Sequence, residues 1–310
     1  MPAVIRRALS IVGAVAAVGA AAFAYGSLIE RNAYVLRRVS VPVLPAGSRP
    51  IRVLHLSDLH MAPWQKRKQD WIRQLADLHP DLIVDTGDNL GHERGLEGIK
   101  RAFEPFAGIP GVYVWGSNDY FGPQAKNPFR YFRKSTHSKS SGALLDRPGL
   151  QTYLDSLGWK DLDNTATTLT GGGVAFELFG TDDPHRHFDR LDLVSAAIDE
   201  LRADDPDWAD VTLAVTHAPY QRVLNSFVTN GADVIFAGHT HGGQVAVPGY
   251  GALVTNCDIP REQVKGLSLW NHARRVAWLH VSGGLGTSIF APVRFANRPE
   301  ATLVTLTAAS

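Results

Sequence analysis

The sequence predicts an α/β fold preceded by one N-terminal hydrophobic helix. Three observations carry that expectation: short apolar runs alternate with segments of helical periodicity from residue 51 onward, polar clusters follow those runs, and the first thirty residues contain one long uncharged stretch.

From Ala8 to Ile29 no charged residue occurs, between Arg6-Arg7 and Glu30-Arg31. A helix rises about 1.5 Å per residue, so this stretch matches the roughly 30 Å apolar thickness of a bilayer. Its polar residues are few and small, led by Ser10 and Ser27, which favours membrane insertion over packing as a soluble core helix. Residues 1–30 are therefore a transmembrane anchor or a signal segment cut after Ala22-Phe23-Ala24. Length favours the anchor, because the apolar part of a signal peptide runs only about 7 to 15 residues. The location implied is a single-pass anchor in the cell membrane, or export. Arg31, Arg37 and Arg38 offset Arg6 and Arg7, leaving the orientation open.

Residues 31–50 read as a connector, with Pro and Gly between positions 42 and 50. Beyond it, 51–56 is a strand, 65–78 carries Trp71, Leu75 and Leu78 at helical spacing, 82–84 is a strand, 96–106 is helical and 112–115 is a third strand. The rhythm resumes with 174–179, 191–201, 211–215, 221–230 and 234–236. After Gly242 only strands are expected, near 244–247, 267–269, 276–281 and 301–306. No linker-like break divides residues 51–310, which read as one domain.

One segment departs from the pattern. Residues 121–147 hold Lys126, Arg130, Arg133, Lys134, Lys139 and Arg147 against Asp146 alone, so this insertion carries +5 and the remainder −4. Phe129, Tyr131 and Phe132 sit among those charges. A solvated surface excursion is the plain interpretation, and a lid or docking loop for an anionic substrate or lipid headgroups is the sharper one.

Composition narrows the chemistry. With 45% hydrophobic and 20% charged residues the chain is globular, and its net charge of +1 argues against a nucleic-acid partner held by a global positive field. One cysteine, Cys257, excludes an internal disulfide and any paired-cysteine zinc site. Twelve histidines remain as candidate ligands and acids.

Polar residues gather where the strands end. Asp58 and His60 follow the first, Asp85 to Asn89 the second, Gly116 to Asp119 the third, His217 the strand at 211–215, and His239 and His241 the strand at 234–236. In α/β sheets the carboxyl ends of the strands converge on one crevice. Asp, Asn and His donors suit divalent first-row metals, and the seven together exceed the needs of one ion. Two ions about 3.5 to 4 Å apart would use them all.

Asp58-x-His60, Gly87-Asp88, Asn118, His217 and Gly238-His239-x-His241 resemble the calcineurin-like metallophosphoesterase family. The run 238–244 and the tail 283–288 are similar to its membrane-associated bacterial branch. The resemblance implies a four-layer α/β/β/α sandwich of two mixed sheets. It also implies two divalent ions (Mn, Fe or Zn), one held by Asp58, His60 and His241 and the other by Asn118, His217 and His239. Asp88 would bridge them, and a bridging hydroxide would attack the phosphorus of a phosphodiester or phosphomonoester.

One departure stands out: the family reads Gly-Asn-His-Asp where this chain reads Gly116-Ser117-Asn118-Asp119. Aligned from the strand, Asn118 takes the ligand place; aligned without a gap from Asp119, Ser117 does. Asn118 is preferred, since an amide is the better neutral ligand. Either way the histidine that would protonate the leaving group is missing, and Asp119, His185 and His187 are the candidate replacements. Arg294 and His92 are candidate substrate contacts, against structural or surface roles. His55, His79, His272 and His280 are read as structural. Ser57 and Ser282 lack the setting of a serine nucleophile.

The leading expectation is thus a membrane-associated phosphoesterase, with a lipid-linked ester among its candidate substrates. The alternatives are a membrane-attached metal-binding or regulatory protein without turnover, and a nucleotide phosphodiesterase. The sequence leaves the oligomeric state open.

Overall fold

The structure, a computed structural model, describes residues 3–124, 142–205 and 208–309. Its layers follow from period-two alternation in the strands. In β2 (Ile51–Leu56), Ile51 and Val53 join one apolar cluster and Leu54 and Leu56 another. A strand apolar on both faces belongs inside a layered fold, covered on each side.

Helix α1 (Ala3–Leu28) and strand β1 (Val35–Leu44) precede β2. Next come α2 (Lys66–Gln74), β3 (Leu82–Asp85), α3 (Gly95–Phe103), β4 (Gly111–Tyr113), α4 (Ser117–Tyr120), α5 (Arg147–Ser156) and β5 (Trp159–Asp161). The second half comprises β6 (Thr165–Gly171), β7 (Val174–Gly180), α6 (Leu191–Leu201), β8 (Val211–Val215), α7 (Gln221–Thr229) and β9 (Val234–Ala237). The all-β end holds β10 (Ala246–Val247), β11 (Gly251–Ala252), β12 (Gly266–His272), β13 (Arg275–Val281) and β14 (Glu300–Ala308).

Two six-stranded mixed sheets result, in the orders β1-β14-β2-β3-β4-β5 and β12-β13-β9-β8-β7-β6. β2 to β5 run parallel, as do β7, β8, β9 and β13. Val53, Val84 and Val112 of the first sheet meet Leu178, Leu213 and Phe236 of the second in the central core. Ile72, Phe103 and Leu154 of α2, α3 and α5 cover the first sheet's outer face, and Ile198 and Phe227 of α6 and α7 cover the second's. This is the four-layer α/β/β/α sandwich expected. Because β2, β3, β4, β8 and β9 are parallel members of these facing sheets, their carboxyl ends reach the same rim.

The segment read as a connector contains β1. It pairs in parallel with β14 from Val35↔Glu300 onward and buries Val41 and Leu44 in the central core. As an edge strand it tolerates Pro42, the residue that made it look like a linker. α5, β5 and β6 also went unanticipated: β6 is threonine-rich and only half buried, so it shows no apolar alternation.

Most of the basic insertion, residues 125–141, lies outside the described residues. Its flanks close on each other, Gly122 N donating to Ala143 O at 2.8 Å. Arg147 opens α5 and lies over the rings of Trp115 and Tyr120 at 5.2 and 4.8 Å.

Beyond Ser10, α1 presents apolar side chains to its surroundings, with Ile11, Val12, Val15, Val18 and Leu28 exposed. Its last turn docks on the domain. Gly26 O accepts from Arg294 N at 3.2 Å, Tyr25 meets Phe295 edge-on at 6.3 Å, and the buried Glu30 carboxylate accepts the amides of Ala296 and Asn297.

Candidate metal centre

The loops that leave the strand ends are backbone-strained. Asp58, His60, Asp88, His239 and His241 adopt φ of 50°, 41°, 55°, 67° and 50°. Non-glycine residues rarely take this left-handed region and tend to do so where a functional site holds them. The loops after β2 and β3 lock together, Asp58 N donating to Gly87 O and His60 N to Asp88 O, both at 2.9 Å. Two glycines permit the close approach: a Cβ on Gly116 would lie 2.2 Å from Asp88 Oδ1, and one on Gly238 would lie 2.0 Å from Ser57 Oγ.

Two groups of donors meet at Asp88. On one side His60 Nε2 lies 3.1 Å from His241 Nε2 and 3.5 Å from Asp88 Oδ2, and His241 Nε2 lies 3.4 Å from Asp58 Oδ1. On the other, His217 Nε2 lies 3.5 Å from Asp88 Oδ1 and 3.3 Å from His239 Nδ1. Neighbours orient the rings: His217 Nδ1 faces Thr86 O at 2.8 Å and His239 Nε2 faces Asn256 O at 3.1 Å, so the opposite nitrogen of each points inward.

These groups fit metal ions. Asp58 Oδ1 is buried without a hydrogen-bond partner among the described residues, and ring nitrogens of His60 and His241, and of His217 and His239, face each other at 3.1 and 3.3 Å. Such a set is satisfied by a cation. Asp58, His60 and His241 form one candidate group, and Asp58, Asp88 and His217 another, each within 4.8 Å. The local field also favours positive charge. Burial alone would lower the His217 pKa, but Asp88, Asp58 and Asp183 lift it to about 9. Burial pushes His60 down to about 4, a neutral imidazole suited to ligation.

Asn118 reaches this centre: its backbone N donates to Asp88 Oδ1 at 2.8 Å and its side-chain amide to Asp88 Oδ2 at 2.6 Å. Ser117 turns away, its hydroxyl donating to Asp183. Of the two alignments, the geometry brings Asn118, not Ser117, to the Asp88 carboxylate.

Asp119, a candidate acid, is held by backbone amides. Its Oδ2 accepts from the amides of Gly116 and Asp88, and its Oδ1 from those of Asn89 and Leu90, at 2.8 to 3.2 Å. Burial, with Asp88 nearby, lifts its pKa to about 8, yet four donors occupy both oxygens and make it a clamp between two loops. Arg294, a candidate substrate contact, is held inside the fold. It is 0% exposed, donates to Gly284 O and Gly286 O, and places Nη2 3.2 Å from His241 Nδ1.

His185 lies at the centre's edge, its ring centroid 4.5 Å from that of His239 and its Nδ1 2.9 Å from the Tyr220 hydroxyl. His187 is exposed in a left-handed turn, 3.4 Å from Arg222. His92 is partly buried against Trp64, with ring centroids 4.9 Å apart, and its Nδ1 accepts the Arg94 amide. His55 and His280 pair through their Nδ1 atoms at 2.8 Å between the two sheets, as expected for structural histidines.

Sequence reasoning did not single out Asn256, Asp183, Glu30 or Asn297. Asn297 donates from its side-chain amide to His241 O and Gly242 O. Asp183 is buried, takes the Ser117 hydroxyl and accepts His185 N at 2.9 Å. Only Glu30 carried a signal, a lone acid directly after the apolar stretch.

Residues 51–243 match the calcineurin-like phosphoesterase family. Protein YpbG of Bacillus subtilis (strain 168) is 28% identical over 267 residues, covering 84% of this chain and 82% of that protein. A Bos taurus protein named as a transmembrane protein with metallophosphoesterase domain is 26% identical over 226 residues, covering 67% of this chain and 44% of its own length. Among solved structures, the 5'-nucleotidase precursor of Thermus thermophilus overlays with a TM-score of 0.46 at 13% identity, over 83% of this chain and 55% of that one.

Proposed function

The chain belongs to the calcineurin-like phosphoesterase family and is a metal-dependent phosphoester hydrolase; on that premise we propose that it binds two divalent ions and hydrolyses a phosphodiester or phosphomonoester at a membrane surface. The observation that carries the two-ion reading is Asp88, whose oxygens face His60 on one side and His217 on the other. Asp58, His60 and His241 would hold one ion, Asn118, His217 and His239 the second, and Asp88 both. Bound there, the ions would lower the pKa of water and neutralise phosphoryl charge.

The chain's own groups supply the rest. Asn118 fixes the Asp88 carboxylate through its amides, and Thr86 and Asn256 set the ring orientations of His217 and His239. His185, aligned by Tyr220 over His239, is the group placed to give a proton to the departing oxygen. The exposed apolar sides of α1 support anchoring, which would bring the rim to lipid-linked esters.

A second reading, metal binding without turnover, is motivated by the run Gly116-Ser117-Asn118-Asp119, which lacks the acid histidine of the family pattern. Metal analysis of the full chain in detergent, with hydrolysis of bis(p-nitrophenyl) phosphate and p-nitrophenyl phosphate under Mn, Fe or Zn, separates the two. The expected result is two ions per chain and turnover that falls on the order of a thousand-fold in Asp88→Ala. Bound metal with no turnover under any of these ions selects the second reading.

A further inference from the structure

Where α1 ends, a cavity of about 240 Å³ opens between Arg31 and α2, away from the histidine cluster. Its walls include Arg31, Lys66, Arg67 and Lys68, with Tyr34 and Trp64, and no acidic residue lines it. Among the described residues neither Arg31 nor Arg67 has a carboxylate partner, and Arg31 Nε is a buried donor with no acceptor. Glu30, the acid adjoining Arg31, is committed to the amides of Ala296 and Asn297, and Asp70 of α2 is committed to Arg101. Two guanidinium groups without a carboxylate partner, Arg31 and Arg67, call for an anion, and guanidinium groups match phosphate geometry.

The position selects the kind of anion. Leu28 and Ile29, 71% and 58% exposed, precede Glu30-Arg31 and continue the apolar surface of α1 towards the cavity, where Trp64 is also exposed. An apolar helix running into a basic, aromatic-edged recess is the arrangement of a membrane interface, with acyl chains along the helix and a phosphate at its end.

We propose that this cavity binds the phosphate headgroup of an anionic membrane lipid, with the lipid's acyl chains lying along the exposed face at the end of α1. The proposal rests on the membrane-attached reading of α1 and is independent of hydrolysis. The floor of the cavity is rigid: Lys68 Nζ donates to Leu59 O at 2.6 Å, and Gly286 N to Asp58 O at 2.6 Å. A bound headgroup would therefore rest on the back of the loop that carries Asp58 and His60.

The test is native mass spectrometry of the full chain in a non-ionic detergent, titrated with dioctanoyl phosphatidylglycerol, dioctanoyl phosphatidylcholine or inorganic phosphate. Phosphatidylglycerol is expected to form a one-to-one adduct. It should bind Arg31→Ala/Arg67→Ala more weakly by on the order of tenfold or more, with binding largely restored in Arg31→Lys/Arg67→Lys. Equal binding of phosphatidylcholine, an undiminished adduct in the alanine variant, or displacement by equimolar inorganic phosphate would each overturn the assignment. Asp88→Ala is expected to bind the lipid as the wild type does, so loss of lipid binding and loss of hydrolysis are read separately.

Discussion

The Glu30 carboxylate accepts the backbone amide of Asn297 at 2.6 Å, joining the end of the apolar helix to the loop that braces a candidate metal ligand, His241. From Asn297 the connection continues to His241 O at 2.5 Å, and Lys265 Nζ holds the Asn297 side chain from the other side at 2.8 Å. The apolar helix is thus seated on the wall of the centre.

Substituting Glu30→Ala leaves two buried amides unpaired and loosens His241. Outer partners of ligating residues typically change metal affinity about 10- to 100-fold. A metal titration should show that loss at the Asp58, His60 and His241 group, with the His217 side little changed. Uniform weakening at both ions would instead mark Glu30 as a general stability residue.

Asp119 and His185 separate by leaving group. His185→Ala should slow hydrolysis of an alkyl phosphoester by about 100-fold or more and spare a nitrophenyl ester, whose departing oxygen needs no proton. Asp119→Ala should slow both esters together and lower the melting temperature, because four hydrogen bonds from backbone amides are lost. Equal losses on the two esters in His185→Ala would remove His185 from the reaction.

Arg294→Met tests the internal brace. Removing a buried guanidinium orphans the Gly284 and Gly286 carbonyls and frees the His241 ring. The expected cost is about 2 to 4 kcal/mol in unfolding free energy, with a weakened metal site. A raised KM with unchanged stability would return Arg294 to the substrate.

The His55 and His280 pair predicts an acid-side loss of stability. Burial lowers His280 from 6.5 to about 4, and burial followed by the His280 charge holds His55 below its ordinary value. Between those pH values the unfolded chain binds protons that the folded chain refuses. Stability is therefore full above about pH 6.5 and falls as pH drops towards 4, by about 3 kcal/mol from His280 alone. Urea unfolding of the full chain in detergent at a series of pH values checks this, and a flat profile would falsify it.

The layered α/β plan, the apolar helix and the candidate ligand residues at the strand ends were legible along the chain. Period-two alternation, an uncharged run and polar residues directly after apolar ones are local patterns, set by neighbours in sequence. β1 was hidden because Pro42 and an edge position weaken its local signal, although its partner β14 was foreseen. Asp119, Arg294 and Glu30 were visible as charges but not as roles. Each is defined by contacts with distant segments: Asp119 with the amides of 88–90, Arg294 with His241, and Glu30 with Asn297, 267 residues away. Whether a buried charge meets substrate, backbone or another side chain depends on which loops the packed sheets bring together, so the tertiary structure alone decided it.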